Sequence, residues 1–354
     1  MTGPASFVDA LTERWSPVSM APSGHVGRPP REDVDVLLAG TSLDAHLPVV
    51  AHEVHSRGRS ASIIHADVDF AGGLNLALRP PASITAQAVL CRSMDIQLPI
   101  PHHGWSAFVA VDPFDPEDPF HGHSHREAAS AAQCWLDLLD TDCWVNEPWA
   151  ARRADSKALQ LRSAARLGLS TPRTVITADV DCLLEFAESC EGGLVHKPMG
   201  HPLTYSEGGE AGFLHAVPMS VQELQALGSG LPYAALFQER LNARAEYRVT
   251  VVGDAIFAGR LDRPPGSTVD WRRGLANGPL PFVPVELDAG LQHSVVSLVR
   301  QLGLVFATVD LLEQENSQVY LLEVNPSGSY LWLPHDLAAL ITGALADLLL
   351  ENGR

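Results

Sequence analysis

A short apolar strand near the carboxyl end of the chain is followed at once by a carboxylate and an amide. Residues 319–322 are β-branched or apolar and predict this strand, after which come Glu323 and Asn325. Side chains two positions apart on an extended segment point to the same face. A second predicted strand, 304–309, ends at Asp310. The three oxygen-bearing side chains can therefore converge on one point, as the ligands of Mg²⁺ do. The alternative is a strand followed by an Asn-Pro turn, with Glu323 in solvent.

Length, charge and cysteine content limit the class of protein. The 354 residues, 46% of them hydrophobic, indicate two or three subdomains with a sizeable core. A net charge of −18 argues against a nucleic-acid partner, because such surfaces carry basic stripes. The cysteine count of five is odd, and no CxxC pair occurs, which favours a reduced chain. No secretory signal pattern or membrane-length apolar run is present, so we expect a cytoplasmic protein without a membrane partner.

The order of predicted elements indicates an α/β chain. A loosely ordered arm is expected over 1–33, and the strand–helix–strand pattern after it is typical of a small parallel sheet. Predicted strands cover 33–39, 60–66, 83–91, 173–177, 194–198, 234–239, 247–252, 255–261, 304–309 and 319–322. Predicted helices cover 43–55, 126–139, 150–167, 179–190, 288–303 and 333–350. Predicted loops cover 99–122, 199–212 and 263–284.

Two lysines are candidates for binding phosphate. Lys197 ends a predicted strand and precedes the Gly-rich loop 199–212. Such a backbone can approach a polyphosphate and donate N–H groups, and the lysine adds a positive charge. The loop matches neither the P-loop pattern nor GxGxxG. A surface hairpin with a solvated lysine is the alternative. Lys157 lies on a predicted helix and taken alone is typical of a solvated side chain.

Three arginines, Arg248, Arg260 and Arg272, lie on or after consecutive predicted β segments. Arginine is suited to bidentate recognition of phosphate or carboxylate groups. The period of two places Glu246 on the same face as Arg248. A ladder of ion pairs on an exposed sheet face explains this pattern equally well. The histidine-rich segment 121–125 is interpreted as a polar loop, because a zinc site requires ligands held in a tetrahedral arrangement.

Taken in order, these pieces resemble the ATP-grasp superfamily of carboxylate–amine ligases. The resemblance rests on Lys157, 194–198, 237–241, 246–254, Asp310, Glu323 and Asn325. A narrower resemblance is to the ATP-grasp maturases of ribosomal peptides, the graspetide or microviridin-type ligases. It rests on 144–148, 155–157, 167–174, 270–272 and 325–332. The aromatic-Arg-Arg-Pro-like segment usual in the N-terminal domain of that group is replaced here by residues 90–93.

The resemblance implies an α/β (α+β) ATP-grasp fold that clasps ATP. It divides the chain into a flexible arm at 1–32, a small parallel-sheet pre-ATP-grasp domain at 33–145, a central subdomain at 146–240 and a C-terminal subdomain with the metal site at 241–354. By resemblance, two Mg²⁺ ions are bound by Asp310, Glu323 and Asn325. The implied nucleotide contacts are Lys157, Lys197, Gln238, Glu239, Arg240, Leu241, Glu246 and Arg260. The implied catalytic residues are Lys197, Arg248 and Arg272, and the implied substrate contacts are Asp270, Trp271 and Arg272.

The activity implied by the resemblance is ATP-dependent cross-linking of a ribosomal precursor peptide with leader and core. A side-chain carboxylate is activated as an acyl-phosphate and forms a macrolactone or macrolactam, while loop 199–212 closes as a lid. A homodimer is also implied. One alternative is an ATP-grasp ligase that joins a free amino acid to a small molecule or peptide. A second alternative, a catalytically silent nucleotide-binding module, is disfavoured because all candidate metal ligands and both lysines are present.

Overall fold

The computed structural model describes residues 16–17, 34–40, 44–65, 84–92, 134, 136–137, 139–141, 143–200, 203–205, 211–213, 216–227, 230–264 and 280–351. The strands in these ranges are β1 (Ser16–Pro17), β2 (Val34–Gly40), β3 (Ala61–His65), β4 (Ile84–Cys91), β5 (Leu139–Asp140), β6 (Trp144–Val145), β7 (Thr174–Thr177), β8 (Leu194–Lys197), β9 (Leu203–Tyr205), β10 (Ala211–Phe213), β11 (Val217–Met219), β12 (Ala235–Glu239), β13 (Ala243–Val252), β14 (Ala255–Asp262), β15 (Val283–Val285), β16 (Phe306–Gln314) and β17 (Val319–Asn325). The helices are α1 (His46–Ser56), α2 (Pro148–Ala154), α3 (Lys157–Arg166), α4 (Val180–Glu188), α5 (Val221–Ala226), α6 (Ala289–Gln301) and α7 (His335–Glu351).

The N-terminal sheet is parallel, as the strand–helix–strand pattern predicted. Its strand order is β3-β2-β4-β5, and β6 also pairs with β4. Apolar side chains of β2 and α1 pack with those of α7 in one core cluster that includes Leu38, Val54 and Ile341. The C-terminal helix therefore contributes to the core of the N-terminal sheet.

The central sheet has the order β11-β8-β12-β7 and is antiparallel. One face packs against α4 and α5 in a cluster that contains Leu183, Leu224 and Phe237. The side chain of Asp179 caps α4, and Ser220 forms a capping box with Glu223 at the start of α5. The sequence prediction missed β11 and α5, although this capping box was visible as a sequence signal.

The C-terminal sheet is antiparallel, with the order β15-β14-β13-β16-β17. Val249 and Val309 on one face pack against α6 in an apolar cluster. On the other face, apolar residues such as Val252 and Phe306 belong to the cluster formed with α7. This second face is polar where Arg248 of β13 lies opposite Asp310 of β16. The polar part of this face carries Glu246, Arg248 and the three predicted metal ligands.

Several predicted elements are corrected by the structure. Asp310 does not end a strand, because β16 runs on to Gln314 and places Asp310 in its middle. The single helix predicted over 150–167 is two helices, since the side chain of Ser156 caps a new helix at Lys157. The loop predicted over 199–212 contains the hairpin β9–β10.

Other expectations lie wholly or partly outside the described residues. Two residues of the predicted arm form β1, which pairs with β10. Helix 126–139 is described only at Cys134, Leu136 and Asp137, which are helical, and at Leu139, which begins β5 and so contradicts the predicted end of the helix. The histidine-rich segment lies outside the described ranges. None of the five cysteines forms a disulfide. In the described ranges, no helix combines the length and apolar character needed to cross a bilayer.

His196 on β8 makes the stability of the central sheet sensitive to pH. The side chain is buried against the Phe237 ring, 5.4 Å away between centroids. Burial lowers the pKa of His196 to about 4. The unfolded chain therefore binds a proton here at a pH where the folded chain does not. This contribution to stability is intact above the unfolded pKa and is lost as the pH falls toward the folded pKa.

We expect the free energy of unfolding to fall more steeply with acidity in the wild type than in a His196→Gln variant. Between about pH 6.5 and about pH 5 the difference is about 2 kcal/mol, because one pKa unit corresponds to about 1.4 kcal/mol. Urea unfolding at both pH values measures this quantity. The control is His52→Gln, at an exposed position. Equal pH dependence in the wild type and His196→Gln would contradict the assignment.

Candidate active site

Three adjacent strands of the C-terminal sheet place a cation and two carboxylates side by side. Arg248 on β13 lies opposite Asp310 on β16, and Asp310 lies opposite Glu323 on β17. Asn325 lies opposite Thr308, two positions away from Asp310 along β16. The pairing of β16 with β17 shifts by one residue just after Asp310. The three predicted metal ligands thus share one face of the sheet.

Arg248 and Asp310 form a buried ion pair. The distance from Nη1 to Oδ1 is 2.8 Å, and each side chain is only 6% exposed. Nη2 of Arg248 donates to the carbonyl oxygen of Ser329 at 2.8 Å, and the guanidinium lies 5.8 Å from the Trp332 ring centroid. The Nε atom of Arg248 is buried without a hydrogen-bond partner. A buried charge requires such compensation, so each side chain of the pair offsets the cost of burying the other.

The second carboxylate is paired with a lysine from a different part of the chain. Nζ of Lys157 donates to Oε1 of Glu323 at 2.6 Å. The two side chains are 18% and 25% exposed, so this pair is more accessible than the arginine pair. Lys157 is the first residue of α3, where the new helix begins. The structure therefore brings together Lys157, Arg248 and the candidate metal ligands.

Two buried amide side chains, which the sequence prediction missed, hold the main chain on both sides of Asn325. Gln160 donates to the carbonyl of Val324 at 2.7 Å and accepts from its N–H at 2.9 Å. Asn146 donates to the carbonyl of Pro326 at 2.9 Å. Asn146 also bonds the N–H and carbonyl groups of Phe306. Position 160 lies three residues after Lys157 on the same helix, and this spacing was the available signal.

The donor set is chemically suited to a hard divalent cation. Asp310, Glu323 and Asn325 offer carboxylate and amide oxygens, the ligand type of Mg²⁺. Each carboxylate contacts a basic side chain, Arg248 for Asp310 and Lys157 for Glu323, which balances its negative charge. Within the described part of the chain, no three His, Cys, Asp or Glu side chains cluster as a metal site. The candidate site instead combines two acids with one amide, so the residues fit Mg²⁺ when phosphate oxygens complete its shell.

A second group of predicted residues lies in the central sheet. Lys197 is paired with Leu236, two positions before Gln238 on β12, so Lys197 and Gln238 share a face. Gln238 is buried; its Nε2 donates to Oγ1 of Thr174 at 3.1 Å, and its Oε1 is buried without a partner. This face is opposite to the one that packs on α4 and α5. An amide oxygen without a partner is available to a ligand that enters this face.

Glu239 points to the other face of the same sheet. Its carboxylate accepts from the N–H and from Nε of Arg173, both at 2.9 Å. Residues 240–242, which include Arg240 and Leu241, connect β12 to β13 and so link the two sheets. A Cβ at Gly192 would lie 2.4 Å from the Arg240 carbonyl oxygen, so the glycine lets this connection approach closely. The predicted contacts of 239–241 with a nucleotide stay a prediction.

Arg260 is not brought to the candidate site. It lies opposite Tyr247, on the face of the C-terminal sheet that points away from Asp310. There Arg260 and Tyr247 share the carboxylate of Glu313, which lies 2.7 Å from Nη1 of Arg260. Burial, together with Glu313, raises the pKa of Tyr247 to about 12. The role of Arg260 in nucleotide binding stays a prediction.

Glu246 lies on the same face as Arg248, as the period of two predicted. Its buried carboxylate forms an ion pair with the guanidinium of Arg263, and the distance from Oε1 of Glu246 to Nη1 of Arg263 is 2.9 Å. The predicted substrate contacts Asp270, Trp271 and Arg272 lie outside the described residues.

The comparisons with solved structures concern the fold. No family model matches the sequence, and no curated protein matches it. The macrocyclase MdnC from Microcystis aeruginosa MRC, bound to the precursor peptide MdnA, matches with a TM-score of 0.73 at 23% identity, over 89% of this chain and 99% of that chain. A RiPP-associated ATP-grasp ligase from Chryseobacterium gregarium, in complex with ADP and a leader and core peptide, has a TM-score of 0.73 at 20% identity, over 89% and 96%. The ATP-grasp ligase PsnB, with a minimal-precursor variant, Mg and ADP, has a TM-score of 0.66 at 18% identity, over 91% and 99%.

The chain therefore has the α/β fold of the ATP-grasp ligases, which confirms the predicted fold class. The matches extend over nearly the whole length of each of these ligases.

Removal of one partner of the buried ion pair between Arg248 and Asp310 should destabilise the folded protein. In Arg248→Met, the Asp310 carboxylate stays buried without its counter-charge, so we expect a loss of about 3–5 kcal/mol in the free energy of unfolding. The double variant Arg248→Met/Asp310→Leu should recover most of this loss, because no buried charge remains. Denaturant unfolding of the single and double variants measures both effects. Additive destabilisation in the double variant would contradict this account.

Gln160→Leu tests the anchoring of β17. The substitution leaves the N–H and carbonyl of Val324 buried without partners, and we expect a loss of about 2 kcal/mol or more in unfolding free energy. Gln222→Leu is the matched control, because Gln222 is an exposed glutamine on α5. Thermal and urea unfolding of both variants give the comparison. A Gln160→Leu protein as stable as the control would exclude the anchoring role.

Proposed function

We propose that this protein is an ATP-dependent ligase that activates a carboxylate as an acyl-phosphate and joins it to a hydroxyl or amine. One observation carries the proposal: Arg248, Asp310, Glu323 and Asn325 share one face of a sheet in a chain with the ATP-grasp fold. Fold alone does not define chemistry, whereas this set of charges is specific to the candidate site. Two acids, an amide and two basic side chains suit a polyphosphate with its divalent cation.

The proposed substrate is a ribosomal precursor peptide that acquires a macrolactone or macrolactam between its own side chains. Support comes from the described complexes of the structural neighbours, which include a macrocyclase with its precursor peptide and a ligase with a leader and core peptide. The acidic charge of the chain suits a partner segment with basic residues. A free amino acid as the second substrate is the alternative, and product mass distinguishes the two.

In the proposed reaction, a carboxylate oxygen of the substrate attacks the γ-phosphorus of ATP, and ADP leaves. The hydroxyl or amine then attacks the acyl carbon, loses its proton and displaces inorganic phosphate. Arg248 lies where its charge can stabilise the phosphoryl or acyl-phosphate oxygens. Lys157 and Lys197 add charge for the phosphate chain. The contribution of such residues is positioning and charge stabilisation, since phosphoryl transfer needs little covalent help from the protein.

Asp310, Glu323 and Asn325 would hold Mg²⁺ in this reaction. A bound Mg²⁺ would supply charge neutralisation for the phosphate oxygens. Lys157 and Arg248 contact the Glu323 and Asp310 carboxylates and would add positive charge beside the phosphate chain.

The proposed metal-binding role of these side chains is tested with Glu323→Gln and Asn325→Ala. We expect both variants to lose ADP formation by at least about a hundredfold while they stay folded, because Glu323→Gln removes a negative charge from the cation site and Asn325→Ala removes an oxygen ligand. Glu315→Gln, at an exposed position between β16 and β17, is the control and should keep full activity. ADP release is followed by a coupled assay, and folding by circular dichroism. Full turnover in both site variants would refute the assignment of the site.

The peptide substrate is tested by ADP release and peptide mass with ATP, Mg²⁺ and the candidate precursor peptide. A loss of about 18 Da per link, matched by ADP formed, is expected for intramolecular condensation. A gain of mass would favour ligation of a second substrate. ADP formation without any change in mass would contradict both forms of the proposal.

A further inference from the structure

A buried polar cluster of the N-terminal domain contacts the segment that follows the candidate metal ligands. The cluster consists of Asp44, His46 and Arg92, from the start of α1 and the end of β4. His46 and Arg92 are buried at 5% and 6% exposure. The segment, residues 326–330, comes directly after Asn325 and is called the 326–330 loop below. No motif in the sequence indicated that these parts meet.

His46 is held in one protonation state by its two neighbours. Its Nδ1 lies 2.7 Å from Oδ1 of Asp44, and its Nε2 lies 3.2 Å from the backbone nitrogen of Tyr330. The Tyr330 N–H can only donate, so Nε2 is the acceptor and Nδ1 carries the proton that Asp44 accepts. Burial and the charge of Arg92 lower the pKa of His46. The ring is therefore neutral and accepts a main-chain hydrogen bond.

Arg92 joins the same carboxylate to the same loop. Its Nε donates to Oδ2 of Asp44 at 2.5 Å, and its Nη2 donates to the carbonyl of Ser327 at 2.8 Å. Burial alone would raise the pKa of Asp44, but Arg92 and His46 lower it below the usual range. One guanidinium thus connects a fixed negative charge with the main chain of the 326–330 loop.

The C-terminal sheet holds the 326–330 loop from the other side. Arg248 donates to the carbonyl of Ser329 at 2.8 Å while its other nitrogen holds Asp310. A Cβ at Gly328 would lie 1.6 Å from Oγ1 of Thr308, so the loop packs directly on β16 where only glycine fits. The 326–330 loop therefore lies between the N-terminal cluster and Arg248.

Asp44, His46 and Ser329 also resemble a hydrolytic triad, since Oγ of Ser329 lies 3.4 Å from Nε2 of His46. The Nε2 lone pair, however, already accepts the N–H of Tyr330, at the shorter distance of 3.2 Å. A general base needs that lone pair for the hydroxyl proton. The arrangement is therefore better suited to holding the main chain than to activating a serine.

We propose that Asp44, His46 and Arg92 are positioning residues through which the N-terminal domain sets the placement of Arg248. They fix the main chain at Ser327 and Tyr330, and the carbonyl between them, that of Ser329, orients the guanidinium. The effect on catalysis rests on the proposed function. The structural coupling between the cluster and Arg248 is independent of that function. Displacement of the N-terminal domain would then move the cation that faces the acyl-phosphate.

The coupling itself is tested by hydrogen–deuterium exchange, which requires no activity. His46→Leu removes the acceptor of the Tyr330 N–H, and we expect exchange of that amide to accelerate about tenfold or more. His46→Gln is the matched variant, because its amide oxygen can still accept, and it should retain most of the protection. Exchange in α6 should match the wild type in both variants, which reports an intact fold. Wild-type protection of Tyr330 in His46→Leu would overturn the proposal.

The catalytic consequence is tested with Arg92→Lys, which keeps the charge but cannot bridge Asp44 and Ser327 at once. We expect kcat for product formation to fall about tenfold or more, with KM for ATP little changed, because a small displacement of a catalytic group is costly. In an Arg248→Lys background, Arg92→Lys should have almost no further effect, since both act through one guanidinium. Losses that multiply in the double variant, or a rise in KM alone, would overturn the catalytic role.

The results of these experiments distinguish the proposed ligase function from the proposed coupling to Arg248. A wild-type protein without ligase activity, with Tyr330 exchange that still depends on His46, would refute the proposed function and retain the coupling. A fully active wild type with unaffected His46→Leu and Arg92→Lys variants would retain the function and refute the coupling.

Discussion

The buried ion pair between Arg248 and Asp310 is the interaction on which the candidate site depends. It places a carboxylate and a guanidinium together inside the sheet, where each is the partner of opposite charge that burial of the other requires. The same guanidinium holds the carbonyl of Ser329. Sheet, carboxylate and the 326–330 loop are thus linked through one side chain, and a nucleotide or metal that binds there must exchange partners with it.

The surrounding structure fixes this region mainly through hydrogen bonds from side chains to the main chain. Asn146, Gln160 and His46 come from three different segments, and each bonds backbone groups within or beside the end of β17. Bonds to the main chain set the position of the backbone, whatever side chains it carries. The strand at the edge of the sheet and the loop after it are held in this way by α3, by α1 and by the residue Asn146.

A large part of the fold could be predicted from the sequence, because local patterns determined it. The predicted strands 247–252 and 255–261 lie within β13 and β14, which pair as a hairpin across Gly253 and Asp254. The same period of two correctly placed Glu246 beside Arg248. It could not show that β16 continues past Asp310, because a charge inside a strand is tolerated only when a partner such as Arg248 lies across from it. Nor could local pattern assign Arg260, whose face depends on the register with Tyr247.

The sequence by itself determined which oxygen-bearing and basic side chains are available, and the strand spacing that puts Glu323 and Asn325 on one face. Only the tertiary structure decided which of them meet. Lys157 reaches Glu323 across 166 positions, and Arg92 reaches Ser327 across 235. Such contacts arise from the packing of whole sheets and helices, and short-range periodicity carries no information about them. Local sequence therefore determines which side chains the site contains, whereas the folding of the whole chain determines how they come together.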